Sequence, residues 1–149
     1  MKRPLIAIAG AVVALSAFVS VHGAREASER EAVEKPLKMY LSQDPEQMKQ
    51  AFHPGATMYF ARNDSLIGVP IPEFIARVAK ARAEEGAPPP REERIADVDI
   101  TGTTAVARIE LGYPNQKLTD YMALVKYDGS WKIVTKIYDR ERLTTAGKR

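Results

Sequence analysis

Apolar and polar positions alternate with two different periods, which divide the chain into a helical first part and a strand-rich last third. Four apolar residues within positions 25–42 recur at the spacing of a single helix face. These residues are Val33, Leu37, Tyr40 and Leu41. Pro36 falls inside this segment, so we expect either a kink there or a helix that begins near Pro36.

Two further helices are marked by their ends. Asp44 can cap a helix that has Pro45 in its first position, and Gln47 can complete a capping box. This helix is short and ends near Ala51, because Pro54 and Gly55 follow. A third helix is predicted over 72–85, opened by Pro72 and closed by Gly86.

The strands follow from residues that alternate or that have β-branched and aromatic side chains. One strand, over 56–62, precedes the third helix, and four follow the extended connector of three prolines at 88–90. They are Ile95–Thr101, Thr103–Leu111, Lys117–Tyr127 and Ser130–Tyr138. The order of elements predicts an α+β fold, with a cone-shaped curved antiparallel sheet and three N-terminal-side helices packed on its concave face.

The first 23 residues have the pattern of a secretory signal peptide. Lys2 and Arg3 give a positive start, an apolar run covers 5–21, and no charge follows until Arg25. Cleavage is predicted after Gly23 or after Ala24, and the protein is then periplasmic or secreted and not membrane-bound. Retention as a membrane anchor is the alternative, since the run is close to the shortest that spans a bilayer. The predicted organisation is a signal peptide (1–23), one domain (24–140) and a disordered tail (141–149).

Composition narrows the chemistry further. The chain has no cysteine, which excludes disulfides, thiolate nucleophiles and cysteine-bound metals. Its formal charge of +3 includes Lys2 and Arg3, so the mature chain is close to neutral, and no basic stripe indicates nucleic-acid binding. His53 is the only histidine outside the leader, so no metal site is predicted, and no cofactor is predicted either.

The order of several short motifs resembles the nuclear transport factor 2-like superfamily over residues 28–139. The resemblance rests on Tyr40, on Phe52-His53-Pro54 and on the run from Thr119-Asp120-Tyr121 through Asp128-Gly129 to Trp131-Lys132-Ile133-Val134. The most similar subgroup is the one described as "putative lumazine-binding", related to SnoaL-like polyketide cyclases and steroid isomerases. The resemblance implies a cone-shaped α+β fold with a pocket and frequent dimers through the sheet. It does not carry over the isomerase mechanism or a lumazine ligand, because one fold hosts many functions.

Asp128-Gly129 predicts a two-residue hairpin turn, which fixes the faces of the last two strands. Leu124 then pairs with Ile133 and Asp120 with Ile137, unless a β-bulge reverses the assignment. One face is expected to look toward the helices: Asp120, Met122, Leu124, Trp131, Ile133, Thr135 and Ile137. The opposite face is expected to carry Tyr121, Ala123, Val125, Lys132, Val134 and Lys136.

Two residues are candidates for catalysis. Asp120 would lie at the mouth of an apolar pocket as a general base or ligand anchor; alternatively, a backbone amide or Arg108 satisfies a strand-end carboxylate. His53 could act as an acid or base in a pocket; alternatively, it caps the preceding helix or packs. The predicted ligand-binding residues are Tyr40, Tyr59, Phe60, Asp120, Met122, Trp131 and Thr135, with ordinary core packing as the alternative for the aromatic ones.

Half of the opposite sheet face is apolar, which is typical of an interface. A homodimer is therefore predicted through Tyr121, Ala123, Val125 and Val134. Three functions remain open at this stage. They are an exported small-molecule-binding protein with an apolar pocket, an isomerase-, dehydratase- or cyclase-type enzyme using Asp120 or His53, and a protein-interaction module acting through the sheet face.

Overall fold

The computed structural model describes the backbone of residues 10–143 and the side chains from Gly23 to Leu143. Residues 1–9 of the predicted signal peptide and the tail from residue 144 therefore lie outside the described residues, and the side chains of residues 10–22 are not described. The described residues divide into two units, with the boundary between Glu31 and Ala32. The first helix, α1, spans Gly10–Leu41. In the described part of the chain, no helix combines the length and apolar character that crossing a membrane requires.

The helices of the second unit begin and end where local chemistry predicts. α2 (Pro45–Ala51) starts at Asp44, whose carboxylate accepts the backbone N–H groups of Glu46 and Gln47 at 3.1 and 3.0 Å. α3 (Ile71–Glu85) ends at Gly86, which has a positive φ of 84°. Pro36 lies inside α1 rather than at its start, so the helix is continuous through the proline.

Six strands form one curved, unclosed sheet in the order β2-β1-β6-β5-β4-β3. Their bounds are β1 Phe52–Arg62, β2 Ser65–Pro70, β3 Glu92–Thr101, β4 Thr104–Tyr113, β5 Gln116–Tyr127 and β6 Ser130–Arg142. The predicted α+β class with three helices and a curved sheet is confirmed. The sheet is mixed rather than wholly antiparallel, because β1 pairs with β6 in parallel. β6 also extends past Arg140 and pairs Arg142 with Gln116.

β2 is the strand that the sequence pattern did not indicate. Asn63 and Asp64 both have positive φ angles, of 50° and 58°, and form the tight turn that folds β2 back on β1. Gly68 lies opposite Tyr59, and a Cβ atom there would approach the Tyr59 ring to 2.9 Å. A short strand with a glycine in the middle has a weak sequence signal, although this glycine lets the tyrosine ring cover the strand.

The core lies on the sheet face that carries the apolar side chains of β4, β5 and β6, together with the inner faces of the helices. Its largest fully buried apolar members are Leu37, Met48, Ile71, Ile109, Leu111, Met122, Leu124 and Ile133. Val33, Leu37, Tyr40 and Leu41 are all buried, as the helical period of α1 predicts.

A β-bulge near Val134 corrects the predicted faces of β6. Leu124 pairs with Ile133 as expected, but Ala123 then pairs with Thr135, so Asp120 lies opposite Tyr138 instead of Ile137. The extra residue reverses the alternation beyond it. The predicted inward positions of Thr135 and Ile137 are therefore wrong, and so is the predicted outward position of Lys136. Lys136 is buried, whereas Ile137 is exposed.

Candidate functional site

Three polar side chains from three elements meet inside the core. The Tyr40 hydroxyl donates to Asp120 Oδ2 at 2.6 Å, and the Lys136 ammonium donates to Asp120 Oδ1 at 2.8 Å. Asp120 is completely buried, and Lys136 is 3% exposed. We call Tyr40, Asp120 and Lys136 the buried triad. Both carboxylate oxygens accept a hydrogen bond, and Asp120 does not face open solvent.

Local structure explains why these residues meet. Tyr40 lies in the last turn of α1, on the face that also buries Leu37. Asp120 and Met122 share the inner face of β5, and the bulge turns Lys136 toward the same side. The Lys136 ammonium also lies 4.5 Å from the centre of the Tyr138 ring and 5.5 Å from that of Tyr40. The two rings and the carboxylate together replace the water that a buried ammonium loses.

Burial dominates the electrostatics of the triad. It raises the pKa of Tyr40 well above its ordinary value, and the negative charge of Asp120 adds to this shift, whereas Arg91 opposes it. Burial lowers the pKa of Lys136, and the charge and hydrogen bond of Asp120 counteract part of this effect. Arg91 also lowers the pKa of Lys136. The cationic field of Arg91 therefore reaches two members of the triad.

Arg91 connects this interior cluster to a cleft of about 960 Å³ at the end of the sheet. Its side chain is 6% exposed, its Nη1 donates to the Tyr113 hydroxyl at 2.7 Å, and its Nη2 approaches the Leu41 carbonyl at 3.4 Å. Its guanidinium carbon lies 5.7 Å from the centre of the Tyr113 ring. The cleft is lined by Pro90, Arg91, Glu92, Glu93, Arg94, Glu110, Gly112, Tyr113, Pro114, Lys117 and Leu143.

The outer rim of the cleft is an ion-pair network centred on Glu110. Arg94 and Arg108 each approach the Glu110 carboxylate at 2.6 Å, and Lys117 lies 3.9 Å from it. The hydrogen bond from Arg94 is the main reason why the pKa of Glu110 is lowered. These charges largely satisfy one another. Arg91, Glu92, Glu93 and Tyr113 are the remaining ionisable side chains that line the cleft.

The predicted catalytic residues are not brought together. Asp120 belongs to the triad, and its partners are Tyr40 and Lys136 rather than a backbone amide or Arg108. His53 lies at the start of β1, where its Nδ1 accepts the Gly55 N–H at 3.0 Å and its ring packs edge-on against Tyr127 at 5.7 Å. His53 lines a separate cavity between α2 and α3.

The predicted ligand-binding residues also lie in different parts of the structure. Met122 is part of the closed core, and Phe60 packs on Tyr138 with ring centres 5.0 Å apart. Tyr59 and Thr135 face the outer side of the sheet, since Tyr59 pairs with Ile137 and Thr135 with Ala123. Trp131 is buried and lines a third cavity, of about 420 Å³, beside α1. Of the predicted ligand-binding residues, Tyr40 and Asp120 are the two that form a hydrogen bond with each other.

Sequence reasoning missed Lys136, Arg91 and Tyr113. Lys136 lies between Thr135 and Ile137, and the strand alternation placed it on the outer face with Lys132. Arg91 follows three prolines, and nothing in the local sequence indicates that it reaches Tyr113. Among the side chains that the structure describes, no group of three carboxylates or imidazoles is close enough to hold a metal ion.

Comparison with known proteins identifies the family. A model of the family described as "Putative lumazine-binding" matches residues 28–139. The chain therefore belongs to this family, and its fold is that of the nuclear transport factor 2-like (NTF2-like) superfamily, as the sequence resemblance implied.

Two solved structures illustrate the similarity. An NTF2-like protein of unknown function from Shewanella baltica is 29% identical, with a TM-score of 0.65 over 77% of this chain and 95% of that one. Another, from Methylobacillus flagellatus, is 30% identical, with a TM-score of 0.63 over 76% of this chain and 93% of that one.

A curated protein, Aldolase FrzH of a Cladobotryum species, is 40% identical over 43 residues. The match spans 28% of this chain and 34% of the aldolase.

Proposed function

We propose that this protein binds a small polar molecule in the cleft beside Arg91. The observation that carries the proposal is the position of the Arg91 guanidinium, which is almost buried yet lines the cleft and is electrostatically linked to Tyr40 and Lys136. A cleft with a few convergent polar groups at its base is typical of ligand sites. The family description and the fold are consistent with small-molecule binding.

The chemistry of the cleft favours a ligand with a carboxylate or carbonyl oxygen. A guanidinium carries five N–H donors in a planar fork, and in Arg91 they are shared among Tyr113, Leu41 and Glu93. A ligand oxygen can replace the 3.4 Å contact with Glu93, while the Tyr113 ring gives a flat surface for an unsaturated group. The site is thus more polar than the apolar pocket that the sequence predicted.

Native mass spectrometry of protein purified from its own source tests this proposal. The wild-type chain is expected to retain a small ligand, and Arg91→Met and Arg91→Lys are expected to lose it, because Lys lacks the planar fork. Arg77→Met on the exposed face of α3 is the matched control and should retain the ligand. Equal retention by the Arg91 variants, or no ligand in the wild type, would rule the cleft out.

We also propose that the protein is exported, to the periplasm or beyond, after removal of the leader. The support is the charged start followed by the apolar run and the first later charge at Arg25. The intact mass of the protein from an envelope fraction is expected to correspond to a chain that begins at Ala24 or Arg25. A full-length mass in the membrane fraction would instead indicate a retained anchor.

An enzyme acting on carbonyl compounds is the second candidate. It is favoured by the lowered pKa of the Lys136 amine, which lies beside Asp120 and Tyr40, and by the 43-residue similarity to an aldolase. A neutral Lys136 amine would condense with a ketone or aldehyde to an imine and release water. Borohydride reduction would trap that adduct, visible as a mass increase that Lys136→Met abolishes.

Isomerase, dehydratase or cyclase chemistry with Asp120 as the base requires Asp120 to give up one of its two partners. With His53 as the base, the reaction would take place in the separate cavity between α2 and α3.

We also propose that the protein forms a homodimer through the outer face of the sheet. Tyr121, Ala123 and Val125 lie on this face, and Val134 lies at the bulge beside it. Val106, Tyr121, Ile137 and Tyr59 extend it, with exposed fractions of 57, 50, 47 and 37%. An apolar surface of this extent is typical of an interface. A different protein bound to the same face is the alternative.

A further inference from the structure

A second cavity, distinct from the Arg91 cleft, lies between α2, α3 and the start of β1. We call it the α2–α3 groove; its volume is about 530 Å³, within the range of small-molecule sites. Its floor is formed by Phe52, Ile71 and Ile75, all buried. The full lining is Lys49, Phe52, His53, Pro54, Ile71, Pro72, Ile75, Ala76 and Ala79.

The alanines and prolines of the lining keep this groove open and apolar. Ala76 and Ala79 lie one helical turn apart on α3 and do not fill the space above Ile75. Pro54 and Pro72 have no backbone N–H, so they bring no donor to the groove. No carboxylate belongs to the lining. An apolar chain can therefore lie in the groove without leaving a lining donor unpaired.

The polar side chains of the lining lie on one side of the groove. They are Lys49, in α2, and His53, two residues after the end of α2. His53 Nδ1 accepts the Gly55 N–H, so the neutral imidazole carries its hydrogen on Nε2 and offers a donor there. A Cβ atom on Gly55 would lie 3.2 Å from Nδ1, so the glycine allows this close contact. Lys49 is paired with Glu46 at 2.6 Å, but both side chains are exposed, and such pairs exchange readily.

We propose that the α2–α3 groove binds a straight-chain carboxylic acid as its anion. The hydrocarbon chain contacts Phe52, Ile75 and Ala79, and the carboxylate accepts hydrogen bonds from His53 Nε2 and the Lys49 ammonium. An apolar floor with cationic and donor groups on one side is complementary to a molecule that has one anionic end. Lys49 is the one charged residue of the lining. Other charged residues of α2 and α3 are paired with each other: Glu73 with Arg77, and Lys80 with Glu84.

Calorimetric titration of the full chain with octanoate, decanoate and dodecanoate, each below its aggregation threshold, tests the proposal. Affinity should increase by about fourfold per added methylene until the groove is full. Decanol, which lacks the charge, should bind at least tenfold more weakly than decanoate. Ala79→Leu should weaken decanoate binding at least tenfold, whereas Ala83→Leu, on the same helix but outside the lining, should bind as the wild type does.

Further variants separate the role of the carboxylate from that of the chain. His53→Phe combined with Lys49→Met should bring the affinity for decanoate close to that for decanol, and Arg91→Met should leave both affinities unchanged. The proposal is overturned if none of the three acids binds, if decanol and decanoate bind equally, or if Ala79→Leu binds like the wild type. Binding of decanoate that depends on Arg91 would assign it to the other cleft and would equally overturn this site.

Discussion

Lys136 donates to Asp120 across a diagonal of the β5–β6 ladder, with Nζ 2.8 Å from Oδ1, because the bulge near Val134 turns Lys136 inward. The residue directly opposite Lys136 is Met122, and the residue opposite Asp120 is Tyr138. Same-face diagonal neighbours in a sheet are within reach of long side chains. A single extra residue in β6 therefore creates the buried ion pair on which the interior polar cluster depends.

Removing one charge of this pair should destabilise the fold strongly. Asp120→Asn leaves the Lys136 ammonium buried without its counter-ion, which we expect to lower the free energy of unfolding by about 3 to 5 kcal/mol. Urea unfolding followed by the fluorescence of the single tryptophan, Trp131, measures this change. The exposed pair Glu73–Arg77 provides the control, since Glu73→Gln should cost only about 0.3 to 0.5 kcal/mol. A cost for Asp120→Asn as small as that of the control would contradict the buried pair.

Replacing both charged groups should be tolerated much better than replacing one. The double variant Asp120→Leu with Lys136→Met removes the desolvation cost of both ions and keeps similar volumes. We expect it to be several kcal/mol more stable than either single variant, although Tyr40 then loses its acceptor. The same urea titrations provide the comparison. If the double variant is as unstable as the sum of the single ones, the two residues are not energetically coupled.

The Tyr40 hydrogen bond should stabilise the protein in a pH-dependent way. Tyr40→Phe removes a bond to a charged acceptor, which we expect to cost about 1.5 to 3 kcal/mol near neutral pH. Because the folded pKa of Tyr40 is raised, this contribution is fully present below about pH 10 and declines as the pH rises further. The stability difference between wild type and Tyr40→Phe should therefore narrow above pH 10. Tyr127→Phe, which removes the hydroxyl of an exposed ring, controls for the substitution itself.

The cap of α2 should make a modest and local contribution. Asp44 accepts two backbone N–H groups at the helix start, and Asp44→Ala should cost about 1 kcal/mol. Asp44→Asn should recover most of this loss, because Asn is an equally good cap. Chemical denaturation of the three proteins side by side measures the effect. A loss in Asp44→Asn equal to that in Asp44→Ala would show that the charge, and not the cap, is responsible.

The exposed outer sheet face should determine the oligomeric state. Size-exclusion chromatography with light scattering is expected to give twice the chain mass for the wild type at micromolar concentration. Tyr121→Lys, in the middle of the apolar surface, should give the monomer mass, and Ala83→Lys on α3 should remain dimeric. A wild-type monomer at this concentration would be evidence against the homodimer.

The parts of the fold that local chemistry fixes could be predicted from the sequence. Asp44-Pro45 and Gly86 define helix ends because caps and positive-φ positions depend on a few neighbouring residues. Asp128-Gly129 likewise forms the expected hairpin turn, with Tyr127 opposite Ser130. Asp120 could be singled out because a carboxylate on the apolar face of a strand requires partners.

The partners themselves could not be predicted, because they depend on long-range pairing. The bulge near Val134 has no distinctive residue, so Thr135 was expected inside and Lys136 outside. β1 and β6 pair in parallel although they are far apart in the sequence. Arg91 and Tyr113 are 22 residues apart and come into contact only when β3 pairs with β4. Contacts of this kind follow from tertiary packing and not from the periodicity of a segment.

The most direct test of the central proposal is a ¹H–¹⁵N NMR titration of ligand-stripped protein with the small-molecule fraction released from the native protein. The proposal predicts shifts that concentrate on Arg91, Gly112 and Tyr113 and that extend to Tyr40, and it predicts that they disappear in Arg91→Met. Shifts confined to Ala76 and Ala79, or to the outer sheet face, or the absence of any shift, would contradict binding in the Arg91 cleft.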